Sequence, residues 1–166
     1  MNYRDKLKRV ETCKTIFTGK VDKDFIEQSI RCQYNPERFN AWKSLYKKGF
    51  ARSEMLKVKH SPHHSFIYWN KRQVKSPDKT MYYKMHELYG RNFGWIVNKT
   101  LKFQDLIKDV KEKGIKEPVV LLNEPLVENE YNNLKLEIYE GHHRCAIAYY
   151  FGIDLPIIIK DVSCIN

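Results

Sequence analysis

The sequence predicts an α+β domain in which helices surround one small mixed sheet. Residues 134–139 alternate between apolar and polar positions, as a half-buried strand does, and a helical pattern begins directly after them. Two further apolar segments, at 119–122 and 155–160, are typical of buried strands. The second half of the chain therefore has the order strand, loop, strand, helix, strand, and helical patterns precede it.

With 166 residues the chain is long enough for one ordinary hydrophobic core and short for two. We therefore expect a single domain over 1–166. The main part of this domain is expected at 54–166, and residues 1–50 are expected to form an added N-terminal helical region. Asp22 and Asn35 are the expected N-caps of two helices in that region.

The middle of the chain begins with a predicted strand over 55–59, which leads into a histidine-rich turn opened by Pro62. A short aromatic helix is expected at 65–69. The polar and basic segment 70–80 is the best candidate for a mobile surface loop.

Two longer helices are predicted before the later strands. The first begins at Thr80 and ends at Gly90, and the second begins at Asn92 and keeps helical register until Gly114. The pattern also allows a break in the second helix near Thr100.

The chain is strongly basic. Thirty basic and twenty acidic side chains give a formal net charge of +10, which favours polyanionic partners such as nucleotides or nucleic acid. A lysine-rich solvated surface explains the charge equally well, because the lysines are scattered. The four cysteines show no paired spacing, and no apolar stretch is long enough to span a bilayer. We expect a cytoplasmic protein without a membrane partner.

The transition from strand to helix at Gly141 is the expected functional site. Glycine lets a ligand approach the backbone closely, and the first N–H groups of the following helix lack helical partners. Arg144 lies in this first turn, where its guanidinium suits two phosphate oxygens. His142 and His143 differ in direction by about 100°, so they cannot both face one ligand in the same way. The sequence therefore predicts an anion site.

Several side chains near this site have more than one interpretation. Glu140 can act as a general base, pair with Arg144, or share Mg²⁺ with a phosphate. His64 is the histidine of the upstream turn that we expect to reach the pocket, and a solvated turn explains it nearly as well. A zinc site formed with His60 and His63 is disfavoured, because a proline disrupts their helical spacing and no cysteine lies nearby.

Two motifs resemble those of the ParB/sulfiredoxin fold. The run Gly141-His-His-Arg144 resembles the Gly-Glu-Arg-Arg box of ParB partition proteins, the Gly-Cys-His-Arg box of sulfiredoxins and the His-His-Arg version of free serine kinases. Upstream, Gly114-Ile-Lys-Glu-Pro-Val-Val-Leu121 resembles the Gly-x-x-Gln-Pro-Ile-x-Val box that helps hold the nucleotide in ParB-like proteins. The resemblance covers about residues 96–160.

The resemblance implies a nucleotide phosphate at the Gly141–Arg144 box and a nucleotide pocket lined by Gly114, Glu117 and Pro118. It implies ATP, ADP or CTP as the nucleotide, with Mg²⁺. The kinase branch implies phosphoryl transfer to a small hydroxylated substrate. In that reaction Glu140 or His64 would serve as the base, and His142 or His143 would add hydrogen-bond donors near the reacting phosphate.

The chain also departs from these families. His142 stands where sulfiredoxins carry their cysteine, and Cys145 lies a turn inside the helix, so reduction of sulfinic acids is disfavoured. His143 replaces one arginine of the ParB box, and the residues after 160 are too few for a DNA-gripping helical domain. The alternative to a nucleotide-dependent kinase or hydrolase is a non-catalytic module that binds DNA or RNA through lysines of the 70–80 loop and the N-terminal helices.

Overall fold

Six strands of one mixed sheet lie at the centre of the protein. The computed structural model describes residues 9–33, 55–71, 77–123 and 135–163. The strands are β1 Thr15–Val21, β2 Ile30–Gln33, β3 Met55–Lys57, β4 Val119–Asn123, β5 Leu136–Glu140 and β6 Leu155–Asp161. Their order across the sheet is β1-β6-β4-β5-β2-β3. The pairs β4/β6 and β2/β5 are parallel, and the other neighbours are antiparallel.

Helices connect these strands in the described part of the chain. They are α1 Lys23–Ser29, α2 Pro62–Lys71, α3 Met81–Leu88, α4 Phe93–Lys113 and α5 His142–Phe151. Short 3₁₀ helices occupy Val58–His60 and Pro77–Lys79. The prediction of an α+β domain with a mixed sheet is confirmed. No described helix is long and apolar enough to cross a membrane.

Three of the capping residues that the sequence indicated begin their helices. The side chains of Asp22, Thr80 and Asn92 accept hydrogen bonds from the backbone N–H three residues later, at 2.9, 3.2 and 2.9 Å. Gly114 ends α4 with a positive φ of 75°, and its N–H donates to Val110 O at 2.8 Å. The long α4 runs through Thr100 without a break.

Helix α5 forms the centre of the hydrophobic core. Four consecutive residues, Cys145 to Ala148, are fully buried, so the middle of this helix is enclosed on every side. The two alanines permit this because they leave room for neighbouring elements to approach. Around α5 the main core includes Ile26, Phe66, Phe103, Leu121, Ile138 and Ile157.

The opposite face of the sheet carries a smaller core. Leu121 and Leu122 are adjacent on β4, so their side chains point to opposite faces of the sheet. Leu121 belongs to the main core, whereas Leu122 packs with Val10, Cys13 and Val162. The residues just before β1 therefore help to cover the second face.

The expectation of a helical region over 1–50 is wrong for residues 15–21 and 30–33, which form strands, whereas Lys23–Ser29 is helical as predicted. Strand β1 pairs with β6, and the predicted helix over 22–34 stops at Ser29, where the chain continues as β2 and pairs with β5. Strand β1 lies at the sheet edge and is mostly exposed, so its sequence lacks the alternation of a half-buried strand. The predicted helix that begins at Asn35 lies outside the described residues, as does 72–76 of the predicted loop.

Leu121→Ala is predicted to lower the free energy of unfolding by about 2–5 kcal/mol, because it opens a cavity in the main core. The matched change Leu101→Ala removes a side chain that is 53% exposed and should change stability by no more than about 0.5 kcal/mol. Urea unfolding followed by circular dichroism measures both values. Equal losses in the two variants would contradict this description of the core.

Candidate functional site: the β5–α5 corner

Gly141 forms the corner between β5 and α5 in a conformation that favours glycine. Its φ of 105° and ψ of 29° lie in the left-handed region, and its carbonyl accepts from Cys145 N at 2.9 Å to start the helix. A Cβ at this position would lie 2.8 Å from Val119 Cγ2 and 3.2 Å from Arg144 Nη2. The corner therefore packs tightly against β4 on one side and against the guanidinium on the other.

Arg144 joins the two motifs that the sequence singled out. Its Nη1 lies 3.1 Å from Glu117 Oε2, and its Nη2 lies 3.7 Å from Glu140 Oε1. The arginine side chain is only 14% exposed, whereas the glutamate side chains are 85% and 67% exposed. A largely enclosed guanidinium is thus covered by two carboxylates that extend into solvent.

Apart from the two exposed carboxylates, the groups of this corner favour an anion. Helix α5 has no side-chain cap at Gly141, and its first turn carries no acidic residue. The positive end of the helix dipole therefore adds to the charge of Arg144. The carboxylate partners extend into solvent, which weakens their attraction to the guanidinium. A ligand with several anionic oxygens could replace these carboxylates at small cost.

His143 is built into the interior. Its Nε2 lies 2.9 Å from Tyr82 Oη, and its ring contacts Phe103 edge to face with centroids 4.5 Å apart. Burial, followed by the charge of the nearby Lys99, lowers the pKa of His143 to about 3. His143 is therefore a neutral imidazole that fixes the first turn of α5 against α3 and α4.

His63 is the residue of the upstream turn that reaches the corner. It is buried, stacks on His142 with centroids 5.6 Å apart, and meets His143 edge to face at 4.5 Å. Burial holds the pKa of His63 well below its usual value and lowers that of His142 to about 4. Uncharged imidazole rings thus pack against the first turn of α5.

His86 extends this arrangement, and we use the name histidine cluster for His63, His86, His142 and His143. The ring of His86 contacts Tyr82 at 4.6 Å and Trp95 at 5.0 Å. Burial, followed by the charges of Lys99 and Arg91, lowers its pKa to about 4. In the described ranges no three histidine, cysteine or acidic side chains converge as a metal site. The edge-to-face contacts of His86 with Tyr82 and Trp95 make it part of the same aromatic packing.

His64, which the sequence favoured as a base, lies elsewhere. Its ring contacts Tyr149 at 5.4 Å and Tyr150 at 5.5 Å, near the end of α5 opposite the Gly141 corner. Burial, then the charges of Lys23 and His60, lowers its pKa. Neighbouring residues on a helix point in different directions, and α2 already begins at Pro62, so His63 rather than His64 faces the corner.

The remaining predicted residues lie along the connection from α4 to β4. Gly114 is the C-cap of α4, and nothing lies within 4 Å of the position that a Cβ would occupy there. Pro118 directly precedes β4, whose first residue, Val119, packs on Gly141. Sequence reasoning missed the contacts of Val119 and Tyr82, because nothing in their local pattern shows which distant residue they meet.

Comparisons with known protein families, with curated proteins and with solved structures found no significant match. The resemblance to the ParB/sulfiredoxin fold, which depends on two motifs, therefore stays a prediction. Any function must be argued from the geometry of the corner itself.

Gly141→Ala is predicted to destabilise the protein more than Gly152→Ala. Both glycines are left-handed and lie at the two ends of α5, where a Cβ costs roughly 1–2 kcal/mol. An added Cβ at Gly152 meets nothing within 4 Å, whereas at Gly141 it approaches Val119 Cγ2 to 2.8 Å. Urea unfolding should therefore show a larger loss for Gly141→Ala, and similar losses would contradict the tight packing of the corner.

The stability of the protein is predicted to fall as the pH decreases from about 6.5 to 5. An unfolded chain binds protons at its histidines near pH 6.5, whereas the folded pKa values of His86 and His142 are about 4. The unfolded state then holds more protons, so the free energy of unfolding decreases with decreasing pH. This stability is fully present above about pH 6.5.

Urea midpoints measured between pH 5 and 7 test this expectation, above the range in which ordinary carboxyl groups titrate. His86→Phe should make the midpoint less dependent on pH, because it removes one buried imidazole. His60→Gln, which changes an exposed histidine, serves as the control and should retain most of the dependence. A midpoint that is constant over this range would show that the cluster is not held neutral.

Proposed function

We propose that the protein binds the phosphates of a nucleoside di- or triphosphate at the Gly141 corner and transfers or hydrolyses the terminal phosphate. The observation that carries this proposal is the contact between Arg144 and Glu117, with Nη1 and Oε2 3.1 Å apart. It joins two segments 27 residues apart that were each singled out as phosphate or nucleotide motifs from their sequence.

Phosphate oxygens suit the groups that the corner offers. Arg144 provides a planar pair of donors, and the start of α5 provides backbone N–H groups and the positive end of a helix dipole. The carboxylates of Glu117 and Glu140 contact the guanidinium, so an entering phosphate would have to displace them. The two carboxylates are mostly exposed and can move aside without disturbing the core.

Magnesium fits this arrangement only together with the phosphate. Glu117 and Glu140 approach the same guanidinium, so both carboxylates would lie beside a bound phosphate. Mg²⁺ commonly binds one or two carboxylates together with phosphate oxygens. Within the described segments no group of three or more candidate ligands exists. Glu140, with Glu117 beside it, would hold the ion, which would neutralise phosphate charge.

In phosphoryl transfer, the protein's own residues would position the phosphate and stabilise its negative charge. Such reactions depend mainly on orienting the phosphate and stabilising its charge. Arg144 would do both, and Glu140 could accept the proton of a small hydroxylated substrate or of water. His63 and His143 are neutral and buried, so they would hold the first turn of α5 in place and carry no charge to the ligand. His64 lies away from this site.

Arg144→Ala is predicted to weaken the binding of ATP, ADP or CTP by more than tenfold, because it removes the charged fork from the corner. Isothermal titration with each nucleotide, with and without Mg²⁺, measures this effect. Arg91→Ala is the matched control, since the Arg91 guanidinium lies over the Trp95 ring at 4.7 Å and is not part of the corner.

Glu140→Gln separates binding from chemistry. It should leave nucleotide affinity without Mg²⁺ nearly unchanged and should lower the release or transfer of phosphate, because the amide can neither accept a proton nor bind the ion well. Equal nucleotide affinity in the parent protein and Arg144→Ala would disprove the phosphate site.

A further inference from the structure

A second group of charges lies around the C-terminal end of α1. We call it the Glu27 surface, and it consists of Glu27 with the cations Arg31, Lys57, Lys59 and Lys135. The cations come from β2, from β3 and the turn after it, and from the residue before β5. Contacts with α1 bring these three separate segments of the chain together.

Two of the lysines share one carboxylate oxygen. Lys59 Nζ lies 2.7 Å and Lys57 Nζ lies 3.3 Å from Glu27 Oε1. Partial burial by itself would raise the pKa of Glu27, but hydrogen bonds from Lys59, Tyr149 and Lys57 outweigh it and lower the pKa to about 2. The carboxylate therefore stays ionised, and it can balance only one of the two lysines.

The other two cations share one backbone carbonyl. Arg31 Nη2 lies 3.3 Å and Lys135 Nζ lies 2.5 Å from Gln28 O, at the C-terminal end of α1. Arg31 also donates to Glu27 O at 2.9 Å. These bonds cap the carbonyls of the helix end, but carbonyl groups carry no net charge, so both positive charges remain.

Like charges are also placed opposite each other in the sheet. Arg31 on β2 pairs directly with Lys57 on β3, and Glu137 on β5 lies on its other side. Like charges directly opposite each other in a strand pair destabilise it. Partial burial, followed by the charges of Arg31 and Lys57, lowers the pKa of Lys135. The four cations thus repel one another, and among the residues that the structure describes the carboxylates Glu27 and Glu137 balance only two of these charges.

We propose that the Glu27 surface binds the phosphodiester backbone of a nucleic acid. A row of phosphates relieves the repulsion among the four cations and releases the counterions of the nucleic acid. The lysine side chains remain accessible, with Lys57 43% and Lys59 38% exposed. Neighbouring strands place Arg31 and Lys57 about 5 Å apart at the backbone, which lets them contact adjacent phosphates.

The same surface does not suit a membrane. Proteins that bind membrane surfaces combine basic residues with apolar side chains that enter the lipid. The large hydrophobic residues that are exposed in the described ranges lie on β1, α2, α3 and α4, and none belongs to α1, β2, β3 or β5. Charge alone characterises the Glu27 surface, which favours a hydrated polyanion.

This surface is separate from the proposed phosphate site. Lys135 precedes β5 and Gly141 follows it, so the length of the strand, on the order of 16 Å, lies between them. The proposal therefore does not depend on nucleotide binding at Arg144. It also differs from the 70–80 loop that the sequence suggested for nucleic acid.

Fluorescence anisotropy with labelled single-stranded DNA, single-stranded RNA and duplex DNA of mixed sequence tests the proposal. The parent protein should bind at least one of them at low salt, and its affinity should fall steeply as salt increases. Lys57→Gln with Lys135→Gln should weaken binding several-fold and reduce the salt slope by about 1 for each lysine. Comparing the three probes shows whether the surface prefers a single-stranded or a duplex nucleic acid.

The matched control is Lys84→Gln with Lys108→Gln, which removes two exposed lysines from α3 and α4. It changes the net charge equally and should leave most of the affinity. If the double variant with Lys57→Gln and Lys135→Gln does not fold, the single variant Lys59→Gln tests the same surface.

Three results would overturn the proposal. The first is the absence of oligonucleotide binding at low salt, and the second is an equal loss of affinity in the control pair, which would indicate net charge alone. The third is binding to vesicles of phosphatidylserine and phosphatidylcholine without binding to any oligonucleotide. That result would assign the surface to lipid headgroups instead.

Discussion

The close approach of Gly141 to Val119 is the constraint on which the rest of the corner depends. A left-handed glycine turns the chain from β5 into α5 so tightly that a single added carbon would meet β4 at 2.8 Å. This places the start of α5 beside the segment that leads into β4. Arg144 can then reach Glu117, and two distant segments form one polar site.

The histidine cluster explains how this corner keeps its shape. His143, which was expected to add a hydrogen-bond donor at the phosphate, is instead buried, neutral and packed edge to face with Tyr82 and Phe103. A charged imidazole would be strongly disfavoured in such an environment. The corner's own positive groups are therefore Arg144 and the end of the α5 helix, and the arginine lies next to solvent-exposed carboxylates.

The charged groups at the two ends of β5 differ in which sign is in excess. After the strand, one arginine is matched by two carboxylates, and an anion must displace them to bind. Before the strand, four cations lie around α1, and the described carboxylates beside them, Glu27 and Glu137, are fewer than the cations. The first arrangement suits a small ligand with several anionic oxygens, whereas the second suits an extended polyanion. The chain's net charge of +10 is consistent with both.

The sequence by itself determined the elements whose signals are local. Caps at Thr80 and Asn92, the glycines that end helices and the strand-to-helix step at Gly141 each involve residues within a few positions of one another. Only the tertiary structure decided which partners meet across the chain. Strand β1 forms because β6 pairs with it, and His63 rather than His64 contacts the corner because α2 packs on α5 with that face. Local patterns cannot encode these choices, since they depend on the packing of residues far apart in sequence.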